Sequence, residues 1–262
     1  MLDGKVIAII GGTAGMGLSA ARACAAAGAR LVVVGREAGP ADEARAILGD
    51  AARVLVGDAV DPAVAEAAVR TAVDNFGNLD GLYHVAGGSG RSAGDGPLDA
   101  IPDAGWDYTV RLNLNSVFYS NRAAVRQFLA QKTGGSILNI SSVLGFSPSP
   151  HFFATHAYAA AKSAVVGLSR SCAAYYAKQD VRFNVLVPAL VETPMSQRAV
   201  GNAEIMAFIQ TKQPLDGGRV GTPADLDAAV VYFLSDASRF ATGQVLTIDG
   251  GWSVSDGQVP IP

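Results

Sequence analysis

Tyr158 and Lys162 stand four residues apart in HAYAAAKSAVVGL (156–168), a run otherwise made mostly of alanine, valine and glycine. A phenol and an ammonium cost free energy to bury, and each would be satisfied alone on a wet surface. On a helix this spacing puts them on one face, a single turn apart. A free phenol, with its ordinary pKa near 10, is a poor proton donor or acceptor at neutral pH. A neighbouring ammonium favours the phenolate. Bringing the phenol to neutrality takes about 4 kcal/mol of differential interaction, within reach of a partly desolvated cation. Such a pair offers general acid–base catalysis at a carbonyl or alcohol oxygen. Taken alone, it reads equally well as a tyrosine on a core edge beside a solvated lysine.

Other polar groups converge on the same chemistry. GSILNISSVLG is a buried-strand pattern ending in Ser141 and Ser142, whose hydroxyls can hold a substrate oxygen beside the phenol. HVAGG ends another strand with Ala86 and Gly87, small enough for a flat ligand to lie close. VRLNLNSVFYS puts Asn113 inside an apolar helix, where an amide is expensive unless it has partners. Near the start, IIGGTAGMGLSAARA spaces Gly11, Gly15 and Gly17 between a strand and a helix. Glycines there let the backbone turn sharply and approach a pyrophosphate, which the free N–H groups of the helix start would bind. The second strand ends in VVVGRE, with Gly35 where an acid would hold the adenine-ribose hydroxyls of NAD, followed by Arg36, which can fork onto a 2′-phosphate. NADP(H) is favoured over NAD(H) on that ground.

The elements that must position these groups are legible as well. Short β-branched runs at 5–10, 30–34, 53–56, 81–85, 136–140, 182–187 and 244–248 alternate with longer alanine-rich helical stretches. Continuous apolar strands joined by helices predict a parallel sheet covered on both faces. Asp61 before Pro62, and Thr222 with Pro223 and Asp225, mark helix starts. Segments 87–105 and 189–221, rich in glycine and proline, follow strands and are candidate substrate walls, because ligands of open α/β sheets lie beyond the carboxyl ends of strands. Residues 103–131 and 156–178 read as two long helices.

Together these features resemble the short-chain dehydrogenase/reductase family in its common form of about 250 residues, over essentially the whole chain. The match rests on YAAAK for its Tyr-x-x-x-Lys, GGTAGMG for its glycine turn, GDAVD, and DGG at 249–251. The resemblance implies an α/β, doubly wound Rossmann-type fold, one domain over 1–262 with a seven-stranded parallel sheet in the order 3-2-1-4-5-6-7. It also implies roles. Tyr158 is the acid/base, Lys162 lowers its pKa and holds the nicotinamide ribose, Ser142 orients the carbonyl, and Asn113 anchors a water in the proton relay. Gly11, Thr13, Gly15, Met16 and Gly17 cradle the cofactor, with Arg36, Asp58, Ala59, Ala86 and Gly87 along its adenosine and ribose side. Pro188, Val191 and Thr193 meet its carboxamide end.

The chain departs from the family pattern in places. His84 and Val85 replace two asparagines of the usual Asn-Asn-Ala-Gly, which reads as a structural change; Ala189 replaces a glycine. Ser142 lies 16 residues before Tyr158, against a usual 13, and the extra length lies in FSPSPHFFATH, a third substrate loop at 145–156. There Phe146, Phe152 and Phe153 line an apolar pocket or pack on a neighbouring subunit. His151 and His156 lack a third ligand nearby, so no metal is expected.

Composition narrows the rest. Of 262 residues, 16% are charged, 20 basic against 23 acidic, with a net charge of −3 and no basic stripe for a nucleic acid. No apolar run approaches the roughly 20 residues of a membrane span. The start lacks a secretory leader, and the two cysteines read as small core residues, so the expectation is a cytoplasmic protein. The sequence predicts reversible hydride transfer between NADP(H) and a ketone or secondary alcohol by a homotetramer or dimer. A non-catalytic dinucleotide-binding sensor or scaffold is the alternative. A serine hydrolase is set aside, because GGSGR is not G-x-S-x-G.

Overall fold

Each of the apolar runs becomes a strand in the computed structural model, which describes residues 1–258; the last four residues of the expected 1–262 span lie outside the described residues. The strands are β1 (Val6–Ile10), β2 (Arg30–Gly35), β3 (Ala52–Val56), β4 (Gly81–His84), β5 (Gly135–Ile140), β6 (Val181–Pro188) and β7 (Val245–Ile248). Among the described residues they form one parallel sheet in the order β3-β2-β1-β4-β5-β6-β7. Helices α1 (Gly15–Ala26), α2 (Ala38–Leu48), α3 (Pro62–Phe76), α4 (Asp103–Val110), α5 (Ser116–Gln131), α6 (Pro150–Phe153), α7 (His156–Tyr176), α8 (Gln197–Val200), α9 (Ala203–Lys212) and α10 (Asp227–Leu234) make the connections.

Side-chain alternation explains why the strands are apolar on both sides. On β1, Ile7 and Ile9 enter the core beneath α1 and α10, whereas Val6, Ala8 and Ile10 enter the one beneath α3 and α5. Fully burying an isoleucine contributes about 1.5–3 kcal/mol relative to exposure, so the sheet holds its helices from both faces. A third cluster joins β6 to α9 and Trp252. The caps fall where the sequence puts them: Asp61 accepts from the Ala63 amide, and Thr222 with Asp225 forms a reciprocal capping box. Cys24 and Cys172 are free thiols.

The stretch 103–131 departs from the expected single helix. Residues Arg111–Asn115 form a π-turn between α4 and α5. The buried Asn113 side chain sits in it, donating to the carbonyls of Gly88 and Thr109 and accepting from the Gly88 amide. An amide with such partners can remain in an apolar interior, and the widened turn is what brings it to the strand end.

His84 is a structural residue, as expected. It is fully buried on β4, with Nδ1 2.8 Å from the Ser120 hydroxyl and Nε2 3.3 Å from that of Ser116. Burial first, and then the charge of Lys162, push its pKa from 6.5 to about 3. The unfolded chain takes up this proton near 6.5 while the folded one holds it off, so the stability from His84 is complete above that value and falls as the pH falls. Between pH 7 and about pH 5 the protein should lose about 2 kcal/mol of unfolding free energy from this one group. Denaturant titrations of the wild type and His84→Asn at the two pH values measure it; an unchanged pH slope in the variant would assign the loss elsewhere.

Candidate active site

Sheet order places the site. β1 has β2 on one side and β4 on the other, so the connections after β1 and β4 leave in opposite directions and open a crevice at the strands' carboxyl ends. Gly11, at φ 92°, starts the turn out of β1; a Cβ there would meet the Ala86 amide at 2.5 Å. At Gly17 a Cβ would come within 2.0 Å of the Gly11 carbonyl oxygen. Only glycine permits this close packing of turn, helix and strand. Helix α1 has Ala14 at its N-cap, with no side-chain cap and no acid in its first turn. Its first amides therefore remain available to an anion, and they fit a pyrophosphate.

At the end of β2 the Thr13 side chain covers Gly35: a Cβ on Gly35 would lie 1.9 Å from the Thr13 hydroxyl oxygen. Arg36 projects outward and pairs with Glu37 at 3.0 Å, the main cause of its raised pKa. Asp58 turns onto the Val60 amide at 3.1 Å, next to Ala59. Gly87 leaves room between Asn113 and Lys162, since a Cβ there would lie 2.8 Å from the Asn113 Oδ1 and 3.3 Å from the Lys162 Nζ.

A cleft of about 400 Å³ continues from this groove. It gathers Met16, Gly87, Ser142, Tyr158, Lys162, Pro188, Val191 and Thr193 from the sequence-derived set. Gly11, Thr13, Gly15, Gly17, Arg36, Asp58, Ala59, Ala86 and Asn113 lie outside its lining, although Gly15 packs on Thr193. Phe153 lines the cleft; Phe152 packs in a tilted pair with Phe208 instead, and Phe146 is exposed. His151 lies 3.8 Å from Glu204, and no group of three metal-ligating side chains occurs among the described residues.

The tyrosine–lysine geometry differs in one respect from the expectation. The Lys162 ammonium is buried and lies 5.6 Å from the centre of the Tyr158 ring, donating to the Ile140 carbonyl at 3.2 Å. Burial raises the pKa of the Tyr158 phenol, and the neighbouring Ser142 hydroxyl offsets this only in part, so the net direction is upward. Lys162 is not among the causes of the Tyr158 shift, so the expected lowering by the ammonium is not seen. Burial also brings Lys162 down to about 8. With one carbonyl for three N–H donors, the ammonium fits vicinal ribose hydroxyls.

Ser141, expected with Ser142 to hold a substrate oxygen, instead donates to the Lys162 carbonyl at 2.7 Å, tying β5 to α7. Other residues of the site escaped the sequence reading. Asp95, buried in the 87–105 loop, accepts from the Ala157 amide at 2.9 Å and the Tyr158 amide at 3.0 Å, capping the start of α7. Arg91, Arg198 and Trp252 also line the cleft. The partners of Asp95 lie 62 and 63 residues away, a distance over which sequence pattern carries no pairing signal.

Known proteins resemble this arrangement over nearly its whole length. A family model described as enoyl-(acyl carrier protein) reductase matches residues 11–253. The chain is 36% identical to 2-(S)-hydroxypropyl-CoM dehydrogenase 3 of Xanthobacter autotrophicus, over 95% of this chain and 97% of that one. It is 33% identical to galactitol 2-dehydrogenase (L-tagatose-forming) of Cereibacter sphaeroides, over 97% and 96%. Among solved structures, a short-chain type dehydrogenase/reductase from Mycobacterium ulcerans superposes with a TM-score of 0.87 at 30% identity, covering 98% of this chain and 92% of that one. Levodione reductase gives 0.85 at 29%, covering 97% and 99%.

Asp95 anchors the residue that must be aimed. Asp95→Ala removes both acceptors at the start of α7 and should cost about 1–3 kcal/mol of stability. Hydrogen exchange at the Ala157 and Tyr158 amides should accelerate while the sheet amides hold; equal protection in the variant would deny the cap its role.

Proposed function

The chain belongs to the short-chain dehydrogenase/reductase family, NAD(P)-dependent oxidoreductases acting on CH–OH and C=O groups, and from that premise we propose that it is an NADP(H)-dependent carbonyl reductase with an apolar substrate pocket. The observation that carries this reading is the meeting of Tyr158, Ser142 and Lys162 in one cleft beside the glycine turn. The nicotinamide, when bound, supplies or accepts the hydride.

The chain's own residues do the rest. Ser142 and Tyr158, which line the same cleft, would both donate to the substrate oxygen. As negative charge grows on that oxygen during reduction, the phenol hands over its proton. The raised phenol pKa keeps that proton in place at neutral pH. Lys162, held by Ile140, would anchor the ribose and add positive charge behind the ring. The polar atoms of the Asn113 side chain are committed to Gly88 and Thr109, so any relay at this position falls to the backbone of the π-turn. Leu144, Phe153, Leu190 and Trp252 give the pocket its apolar walls. The substrate walls are the loops 87–105, 145–156 and 189–221.

The pH dependence follows from the same groups. Oxidation needs an ionised phenol, so its rate should rise by up to about tenfold per pH unit above neutrality. Reduction should be flat near neutrality and decline above about pH 8, as Lys162 loses its proton. Tyr158→Phe should abolish turnover of both directions while cofactor binding persists. Steady-state rates with calorimetric NADPH titration check this; a variant that keeps most of the activity would remove Tyr158 from the mechanism.

NADP(H) is supported by the absence of an acid at Gly35 and by the exposed Arg36 beside it. Arg36→Ala should lower kcat/KM for NADPH about tenfold, the worth of one charge-assisted contact, with NADH little affected. A wild type that prefers NADH would reverse the assignment. Phe118 and Leu129 on α5 and Tyr175 on α7 are exposed, which supports a homo-oligomer through these helices; a native mass of one chain would remove that part. No helix among the described residues is long and apolar enough to cross a membrane.

A further inference from the structure

Formal charge in the cleft has one sign. Besides Lys162, its charged lining residues are Arg91 and Arg198, and no aspartate or glutamate lines it among the described residues. The two arginines come from different connections: Arg91 from the short turn Arg91–Ala93 after β4, Arg198 from α8 after β6. They nevertheless reach one point. A terminal guanidinium nitrogen of each donates to the same acceptor, the Phe152 carbonyl, at 3.3 Å and 3.4 Å.

One carbonyl oxygen carries no formal charge and leaves most of the ten N–H donors of two guanidiniums without it. Neither arginine is in an ion pair among the described residues. Asp95, the carboxylate close enough to act on Arg91, is taken up by the α7 amides. Burial and then the charge of Arg198 both disfavour the Arg91 cation, and Asp95 offsets them only as the smallest influence. Two like charges brought together at the cleft wall, Arg91 half-buried and Arg198 exposed at its rim, are an arrangement that an oxyanion would relieve, and guanidinium forks match carboxylate, sulfonate and phosphate geometry.

We infer that the substrate carries an anionic group, a carboxylate or another oxyanion, joined by a short apolar chain to the reacting carbonyl, and that Arg91 and Arg198 clamp it while Tyr158 and Ser142 hold the carbonyl oxygen. The inference rests on the carbonyl-reductase reading and narrows its substrate class. Leu144 and Phe153 supply apolar surface for the linking chain. Charge at one end and hydrogen bonds at the other would fix which face of the carbonyl meets the hydride.

The test is a ladder of straight-chain keto acids with two to five carbons between ketone and carboxylate, their methyl esters, and the matching keto sulfonates. The readout is the ratio of kcat/KM for acid over ester, with calorimetric titration of the same keto acids alongside. One rung should favour the acid at least about tenfold, and Arg91→Gln or Arg198→Gln should each cut that ratio about tenfold, the worth of a charge-assisted hydrogen bond. Sulfonate against carboxylate turnover distinguishes the oxyanions. A wild-type ratio near one along the whole ladder overturns the clamp. So does an equal loss on acid and ester in the variants, which would make the arginines a latch on Phe152. If a variant fails to fold, Arg→Lys keeps the charge without the fork and should lower the ratio less. Keto acids that bind in an arginine-dependent way with no ketone reduced would uphold the clamp and sink the reductase reading. Ester reduction without acid preference would do the opposite.

Discussion

A buried ammonium with one backbone carbonyl as its hydrogen-bond partner constrains the whole site. Lys162 gives up most of its hydration and receives the Ile140 carbonyl at the end of β5 in return. That bargain holds only if β5 and α7 keep their relative position, which the Ser141 hydroxyl secures on the Lys162 carbonyl and which Asn139 reinforces through Ser169. The same desolvation reaches Tyr158, Lys162 and His84 together: it raises the phenol and lowers the two bases. The protein thus holds a protonated phenol beside a cation on the verge of neutrality.

Around this point the loops are tethered by side chains and not by apolar packing alone. Asn113 grips both polar groups of the Gly88 backbone from the π-turn, and Asp95 reaches back from the same connection to cap α7. The wall of the cleft and the helix that carries the acid/base are therefore one hydrogen-bonded unit. Arg91 and Arg198 extend it to the 145–156 segment through the Phe152 carbonyl.

How much of this could be read beforehand depends on how far apart the partners lie in the chain. Strands, caps and the Tyr158–Lys162 pair are local patterns with periods of two, three or four residues, and they stand almost where the sequence puts them. The expected strands end within a residue of those observed; β4 stops at His84, one short of the expected Val85. Asn113 is identifiable as an amide out of place, but not the π-turn that accommodates it. Spacing gives the separation of Tyr158 and Lys162 along a helix but not how strongly burial acts on the phenol, and burial is what sets the direction of its pKa. Asp95, Arg91 and Arg198 could not be read at all, since their partners lie 46 to 63 residues off.

Thr13 and Gly35 carry a consequence for how this protein could diverge. The threonine side chain fills the space that a side chain at position 35 would need, down to 1.9 Å from its first carbon. An acidic residue at 35 would require the Thr13 side chain to shift or to be replaced by a smaller one, so the residue at the end of β2 is coupled to the one in the glycine turn.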